Sequence, residues 1–393
     1  MTDHSPVTSV DHIDFRAAFP FGSLLRAIGS ALRPARLGIA ILTLAFLVGG
    51  GRIWDGLTTS GADATAATEQ MGPFAMMMTH LEMQGNTVAH AALTLDAAGV
   101  VQGVIAMGWG TPAALWAGGY FWFMLIYGCW VAMVMALGGG ILCRLEAVEV
   151  SQPGPASVSD AVHMVSRHWW SFTVGLLVPF IVAGMLGALL LLFGLLLLNI
   201  PVLNIIGGLL YGLALLAGLG MTLLVLGGLV SWPLFLPSLV VENCDASDAM
   251  SRSFSYVVHR PLRWILYVAT AAVGLALGLL LISTIMRFTV DITAGVTSTW
   301  TFNDAHLAAK TMQSNGDLGD ISWWSSATGW CMAFWATLTT WVVAGWSLAY
   351  VMGVSTRSYL LLRQAVDEQD PKEIWWPGLL RGTLSPAPPN ADD

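Results

Sequence analysis

Long apolar runs separated by short polar segments dominate the chain and predict membrane-spanning helices. A helix needs about 20 largely apolar residues to cross the hydrocarbon core, because each unpaired backbone group in lipid costs several kcal/mol. Six stretches meet or approach this length, at residues 37–51, 112–143, 170–198, 203–231, 264–286 and 327–355. The sequence therefore predicts an all-α, polytopic transmembrane helical bundle of about six spanning helices.

The polar segments divide the chain into three predicted parts. Residues 1–36 form a cytoplasmic N-terminal segment with an amphipathic helix, and residues 37–356 form the six-helix transmembrane domain. Residues 357–393 form a cytoplasmic tail that is disordered at its Pro-rich end. Two long connections, 52–111 and 287–326, are expected as loops on the outer side.

The positions of Lys and Arg predict the orientation of the bundle. Thirteen of the 16 basic residues flank the helix ends on one side, and the other side has only Arg52, Arg287 and Lys310. Because basic residues concentrate in cytoplasmic segments, this bias predicts that both termini face the cytoplasm. The polar segment before the first apolar run is too long and too acidic to be the short, positively charged start of a cleaved signal peptide. We therefore expect the first helix to be an uncleaved anchor.

Short motifs before the apolar runs indicate an internal repeat. Arg-Pro-x-Arg occurs at Arg33–Arg36 and Arg260–Arg263, and Ser-Asp-Ala occurs at Ser159–Ala161 and Ser247–Ala249. The pairs Ser157/Asp160 and Asp245/Asp248 have the spacing of helix caps. With the apolar spacing and these motifs, they predict three parallel repeats, each an amphipathic helix followed by a helical hairpin. The alternative is that any inside-facing helix start collects arginines and capping residues.

Two sets of residues are candidates for function. The first could contact lipid phosphates at the inner interface, because an arginine stem lies along apolar surface while its guanidinium reaches the headgroups; it comprises Arg33, Arg36, Arg252, Arg260 and Arg263. The second could break or kink the fourth helix and free backbone carbonyls there; it comprises Trp232, Pro233 and Pro237. Glu242, just beyond, is expected to pair with Arg252 or Arg263.

Composition narrows the function classes. The chain is 56% hydrophobic and 10% charged, with a mean hydropathy of +0.70 and a net charge of −8. No clustered basic surface is present, so nucleic acid is not an expected partner. One metal hypothesis concerns copper held by thioethers, with ordinary packing as the alternative; its residues are Met71, Met76, Met77, Met78, His80 and Met83. We predict no catalytic residues, no metal site and no cofactor.

The segment from Trp232 to Ser253 carries a family resemblance. Its proline-containing helix end, followed by Val-Glu and Asp-Ala-x-Ser-Arg-Ser, is similar to the membrane domain of some glycerophosphodiester phosphodiesterases. With residues 140–149 and 359–367 included, the chain more closely resembles uncharacterised inner-membrane proteins of planctomycete-type bacteria. This resemblance implies a helical bundle and a bacterial cytoplasmic membrane location, and it carries over no catalytic residue.

These patterns favour a non-enzymatic membrane protein that organises the envelope or contacts lipid through its cytoplasmic amphipathic helices. Its expected partners are membrane lipids and other membrane proteins. The alternative is a transporter or channel for a lipid-like or small neutral solute, and a membrane enzyme ranks third. Ionisable residues are absent between the ends of the six predicted spans, which disfavours coupling to protons or sodium.

Overall fold

The computed structural model describes residues 22–59, 71–152, 156–201, 203–301, 303–314, 316 and 321–380. This part of the chain forms thirteen helices and no strand. They are α1 (Gly22–Ala31), α2 (Pro34–Thr59), α3 (Pro73–Leu93), α4 (Ala97–Ala117), α5 (Phe121–Ser151), α6 (Val158–Arg167), α7 (Trp169–Leu198), α8 (Leu203–Leu209), α9 (Tyr211–Glu242), α10 (Ala246–His259), α11 (Pro261–Ser298), α12 (Ala305–Gln313) and α13 (Trp323–Asp367). The predicted all-α fold class is confirmed.

Seven helices are long and apolar enough to cross a membrane: α2, α4, α5, α7, α9, α11 and α13. They point to a membrane protein. Six of them contain or overlap the six runs predicted from sequence, and α4 is an additional candidate. Its apolar character is weaker than that of the other spans in the middle of the chain, which is why the sequence placed residues 97–111 in an outer loop. The predicted run 112–143 was wrong as one helix, because its first residues end α4 and the rest belongs to α5.

The connections expected as long loops are largely helical. Residues 52–111 contain α3 and most of α4, which pack as a pair, and residues 287–326 contain α12, which packs on the first part of α13. The start of α3 is attached to α2, because the Asp55 carboxylate accepts hydrogen bonds from the backbone N–H groups of Phe74 (2.8 Å) and Ala75 (3.0 Å). These bonds satisfy donors that a helix start leaves open, so the chain can remain helical there.

Short helices precede three of the spans, as the repeat hypothesis requires. α1, α6 and α10 lead directly into α2, α7 and α11. The predicted cap of α6 is confirmed, since the Ser157 hydroxyl accepts from the N–H of Asp160 (3.3 Å). The equivalent prediction for α10 is wrong, because the Asp245 side chain makes no capping bond. The order of elements therefore recurs three times, while the duplication itself stays a prediction.

α13 is the central helix of the bundle and contacts α1, α2, α5, α9 and α11. Its 45 residues span roughly 68 Å at 1.5 Å per residue, about twice the hydrocarbon thickness. The last turns of α13, which the sequence assigned to a tail beginning at residue 357, continue this helix and are largely buried. The predicted disorder of the chain end lies outside the described residues.

Close packing of α13 against α11 depends on glycine. A Cβ added to Gly278 would lie 2.0 Å from the Trp346 ring, and one added to Gly274 would lie 2.2 Å from the Tyr350 hydroxyl. Trp346 is fully buried and stacks on Tyr350. Small residues let helices approach closely where lipid gives no hydrophobic drive for association. These two glycines therefore set the distance between α11 and α13.

α9 runs as one helix from Tyr211 to Glu242 and includes Trp232, Pro233 and Pro237. The expected break at these residues does not occur, and the alternative expectation, a kink, stays a prediction. Each proline removes only one backbone hydrogen bond, whereas every residue from Leu234 to Glu242 is buried against the bundle. Packing of this segment keeps the helix continuous.

Candidate functional site

Buried charges gather at one end of the bundle, where α2 begins and α5, α9 and α13 finish; we call it the charged end. Two carboxylates, Glu146 on α5 and Glu242 on α9, face two arginines of α13, Arg357 and Arg363. All four side chains are at most 9% exposed. Buried charges require partners, so the arrangement of these groups decides how the helices meet.

Glu146 is the centre of the first cluster. It is fully buried, and both Arg36 and Arg357 donate hydrogen bonds to its carboxylate. The Ser30 hydroxyl of α1 donates a third, at 2.9 Å. Arg36 also donates to Glu149 at 2.5 Å. One carboxylate thus connects α1, α2, α5 and α13.

Glu242 is the centre of the second cluster. Its carboxylate accepts hydrogen bonds from Arg252 of α10 and from the Tyr359 hydroxyl of α13, the latter at 2.5 Å. The Arg363 guanidinium lies 3.8 Å away. The sequence offered Arg252 or Arg263 as the partner of Glu242, and the structure shows Arg252. Glu242 therefore connects α9, α10 and α13.

The residues that follow α13 fold back onto the charged end. Arg144 of α5 donates to the Trp375 carbonyl (2.8 Å), and its guanidinium lies 4.9 Å from the centre of the Trp376 ring. The N–H of Trp375 donates to the Val241 carbonyl at 2.8 Å. Ile374 is 2% exposed. Arg144 thus holds this segment through one carbonyl oxygen and one aromatic face, and it forms no ion pair within the described residues.

Two polar side chains near Glu242 are incompletely satisfied. Asn243 has the left-handed backbone conformation that ends α9 (φ 48°), and neither atom of its buried amide has a hydrogen-bond partner. Arg363 donates to the carbonyls of Asp370 (3.3 Å) and Glu373, while its Nε and Nη1 make no hydrogen bond. Such atoms are costly in a packed interior, so this part of the charged end is suited to ordered water.

Burial changes the proton affinity of groups between the spans. Burial raises the pKa of the Cys244 thiol to about 12, and the neighbouring Glu242 carboxylate adds to the rise. Burial also raises the pKa of Tyr256 on α10, whose hydroxyl donates to the Asp367 carboxylate. At neutral pH the Cys244 thiol and the Tyr256 hydroxyl are therefore protonated and unreactive.

A groove of about 540 Å³ opens beside the first cluster. α1, the end of α5 and the last part of α13 form its walls, which comprise Ser23, Arg26, Gly29, Ser30, Arg33, Glu149, Val150 and Arg357. The exposed Arg33 side chain pairs with Glu149 at 2.8 Å. Three arginines against one carboxylate, Glu149, give the lining of the groove a net positive charge, which suits an anion.

The five arginines predicted to reach lipid phosphates divide into different environments. Arg36 is 4% exposed and is bound to Glu146 and Glu149, so it faces inward. Arg252 is partly exposed and bound to Glu242. Arg33, Arg260 and Arg263 are exposed at the starts of α2 and α11.

The sequence pointed to Arg36, Arg252 and Glu242, but other residues that organise this end were missed. Glu146 and Glu149 lie three positions apart, on one face of α5, and this spacing was a usable signal. Arg26 was counted only for orientation. Arg357 and Arg363 were assigned to a tail, because hydropathy falls where the helix leaves the apolar core.

The methionines of the copper hypothesis spread around α3. Met71, Met78 and Met83 are exposed, whereas Met77 packs against the aromatic residues of α5. The Nδ1 atom of His80 lies 3.1 Å from the Thr111 hydroxyl. Within the described ranges, no three His, Cys, Asp or Glu side chains are grouped as metal ligands. The copper hypothesis therefore gains no support from the arrangement of these side chains.

No known family model, curated protein or solved structure matches this chain. The resemblance to planctomycete-type membrane proteins and to the phosphodiesterase membrane domain therefore stays a prediction.

Proposed function

We propose that the protein is a non-enzymatic, multi-pass component of the bacterial cytoplasmic membrane that binds anionic lipid headgroups at its charged end. In this proposal the charged end faces the cytoplasm, where basic residues concentrate. Lipid binding there would organise the envelope, together with other membrane proteins. The observation that supports it most is the division of the arginines into a buried, paired group and an exposed group at the starts of the spans.

The exposed arginines lie beside exposed apolar side chains. Arg260 and Arg263 flank Leu262, which is 81% exposed, and Val258, near the end of α10, is 57% exposed. A surface that combines arginine with large apolar residues suits the boundary between headgroups and acyl chains. The guanidinium forms paired hydrogen bonds with phosphate oxygens, so this surface favours anionic lipid.

Lipid retention by the full-length protein tests the proposal. The parent and the Arg260→Gln/Arg263→Gln variant would be released from nanodiscs that contain phosphatidylglycerol, and retained lipid counted by native mass spectrometry. An arginine near an anionic surface contributes about 1 kcal/mol, so the double variant should bind roughly 30-fold more weakly.

The matched control is Arg287→Gln, an exposed arginine at the other end of α11. It should retain lipid like the parent, because the proposal gives no role to that end. Equal retention by all three proteins would refute the proposal.

A transporter or channel for a lipid-like or small neutral solute is the alternative. Its predicted site beside Pro233 and Pro237 is separate from the groove, whose walls come from α1, α5 and α13. No specific contact favours this alternative over lipid binding.

A further inference from the structure

The groove at the charged end has one wall built from a polar stripe of α1. Buried residues on another side of the same helix attach it to the bundle; they are Leu24, Ala27 and Ala31. The groove side presents Ser23, Arg26 and Ser30 at spacings of three and four, which places them on one face of α1. Arg33 follows in the bend between α1 and α2 and also lines the groove. The bundle core thus fixes the position of the polar stripe.

Contacts within the protein hold two of the groove arginines in place. Arg357, from α13, donates to Glu146 and to the Ser23 carbonyl (3.2 Å). Arg33 is paired with Glu149 at 2.8 Å. Arg26 is exposed and makes no ion pair within the described residues. The groove therefore combines two positioned guanidinium groups with one that is available.

The charge at this site is unbalanced. Around the groove and the carboxylates behind it, the described residues supply four arginines against Glu146 and Glu149; the arginines are Arg26, Arg33, Arg36 and Arg357. Two positive charges are thus unmatched. A phosphomonoester carries about −1.5 to −2 charges at neutral pH, whereas a phosphodiester carries one. A monoester matches the excess better.

We propose that this groove is a binding site for a phosphomonoester or phosphate dianion, held by Arg26, Arg33 and Arg357. Its volume of about 540 Å³ lies within the range of small-molecule sites and exceeds that of a single phosphate group. The inference rests on the proposed function where it puts the charged end at the bilayer surface. It names different residues from Arg260 and Arg263 and a narrower ligand class.

The surroundings of the groove fit a ligand that arrives from the bilayer. Leu25 of α1 and Leu32, which directly follows α1, are 43% and 51% exposed and adjoin the groove residues Arg26 and Arg33 in the chain. They give acyl chains an apolar surface beside the arginines. A phosphomonoester lipid headgroup, as in phosphatidate, and free phosphate share the chemistry that these arginines recognise.

The test uses the full-length parent and the Arg26→Gln variant in two measurements. In nanodiscs with equal fractions of phosphatidate and phosphatidylglycerol, native mass spectrometry counts each retained lipid. In detergent, thermal unfolding is followed as inorganic phosphate is added. Arg26→Gln is exposed and should fold, and loss of one charge-assisted contact should weaken phosphate binding by about tenfold.

The outcomes separate the possible ligand sources. Preference for phosphatidate without protection by inorganic phosphate identifies the headgroup as ligand, and the reverse identifies free phosphate. Either outcome supports the site if the response is weaker in the Arg26→Gln variant and unchanged in the Arg52→Gln variant, whose substitution lies at the opposite end of α2. No response to phosphatidate or phosphate, or equal responses of the Arg26→Gln variant and the parent, would overturn the inference.

The proposed lipid-binding function and the groove inference can fail independently, and the variants distinguish the two failures. The Arg260→Gln/Arg263→Gln variant leaves the groove intact, so its response to phosphatidate should equal that of the parent. If only the Arg26→Gln variant loses the response to phosphatidate or phosphate, the groove is supported. This holds even if the Arg260→Gln/Arg263→Gln variant retains as much phosphatidylglycerol as the parent, a result that would count against the proposed function alone.

Discussion

Replacement of Glu146 by Gln should be strongly destabilising. The carboxylate is fully buried and accepts hydrogen bonds from Arg36, Arg357 and Ser30. The Gln side chain keeps a similar shape but loses the charge. Arg36 retains Glu149, whereas Arg357 is left buried without a carboxylate. Removal of one partner from a buried ion pair costs about 3–5 kcal/mol, and we expect a loss of unfolding free energy in this range.

Glu149→Gln is the matched control. Glu149 lies on the same face of α5, but its side chain is 18% exposed and one of its partners, Arg33, is 48% exposed. Solvent screens exposed ion pairs, which contribute about 0–1 kcal/mol. Arg36, the other partner, keeps Glu146 in this variant. The control should therefore lose much less stability than Glu146→Gln.

The assay is reversible unfolding in mixed detergent micelles with increasing SDS, followed by tryptophan fluorescence. A double variant, Glu146→Gln with Arg357→Met, tests the cause of the loss. It removes the unpaired arginine as well, so it should be more stable than Glu146→Gln alone. Equal losses for Glu146→Gln and Glu149→Gln, or additive losses in the double variant, would refute an ionic origin.

Three further predictions address packing, thiol reactivity and pH. Gly278→Val should lose about 1–3 kcal/mol because its side chain would overlap Trp346, whereas Gly295→Val, with no atom within 4 Å of its Cβ, should lose much less in the same unfolding assay. With Cys244 as the only cysteine, maleimide at pH 8 should label the denatured protein and hardly label the folded one, since the thiol pKa is about 12; rapid labelling of the folded protein would contradict its burial. Tyr256 has a raised pKa when folded, so its contribution to stability is complete below the unfolded value of about 10 and is lost as the pH rises above it. Unfolding measured from pH 8 to 11 should show a smaller alkaline loss for Tyr256→Phe than for the parent, and equal losses would count against this role.

Element type and approximate span positions could be read from the sequence. A bilayer requires about 20 apolar residues with all backbone bonds made internally, so hydropathy alone predicts where most helices cross. Local signals also worked where they act within one turn, as at the Ser157 cap of α6. Hydropathy was insufficient for α4, whose apolar character is weaker, and for the end of α13, where a buried segment carries arginines.

Which charges meet was decided only by the tertiary structure. Arg36 reads as an interface arginine from its position before an apolar run, yet its partner Glu146 is 110 residues away. The exposed Arg260 and Arg263 occupy the same Arg-Pro-x-Arg pattern but form no ion pair within the described part of the chain. Local sequence sets where an arginine enters the bundle. The packing of distant helices determines whether it meets a carboxylate or the surface, because a buried charge is tolerated only where another element supplies its partner.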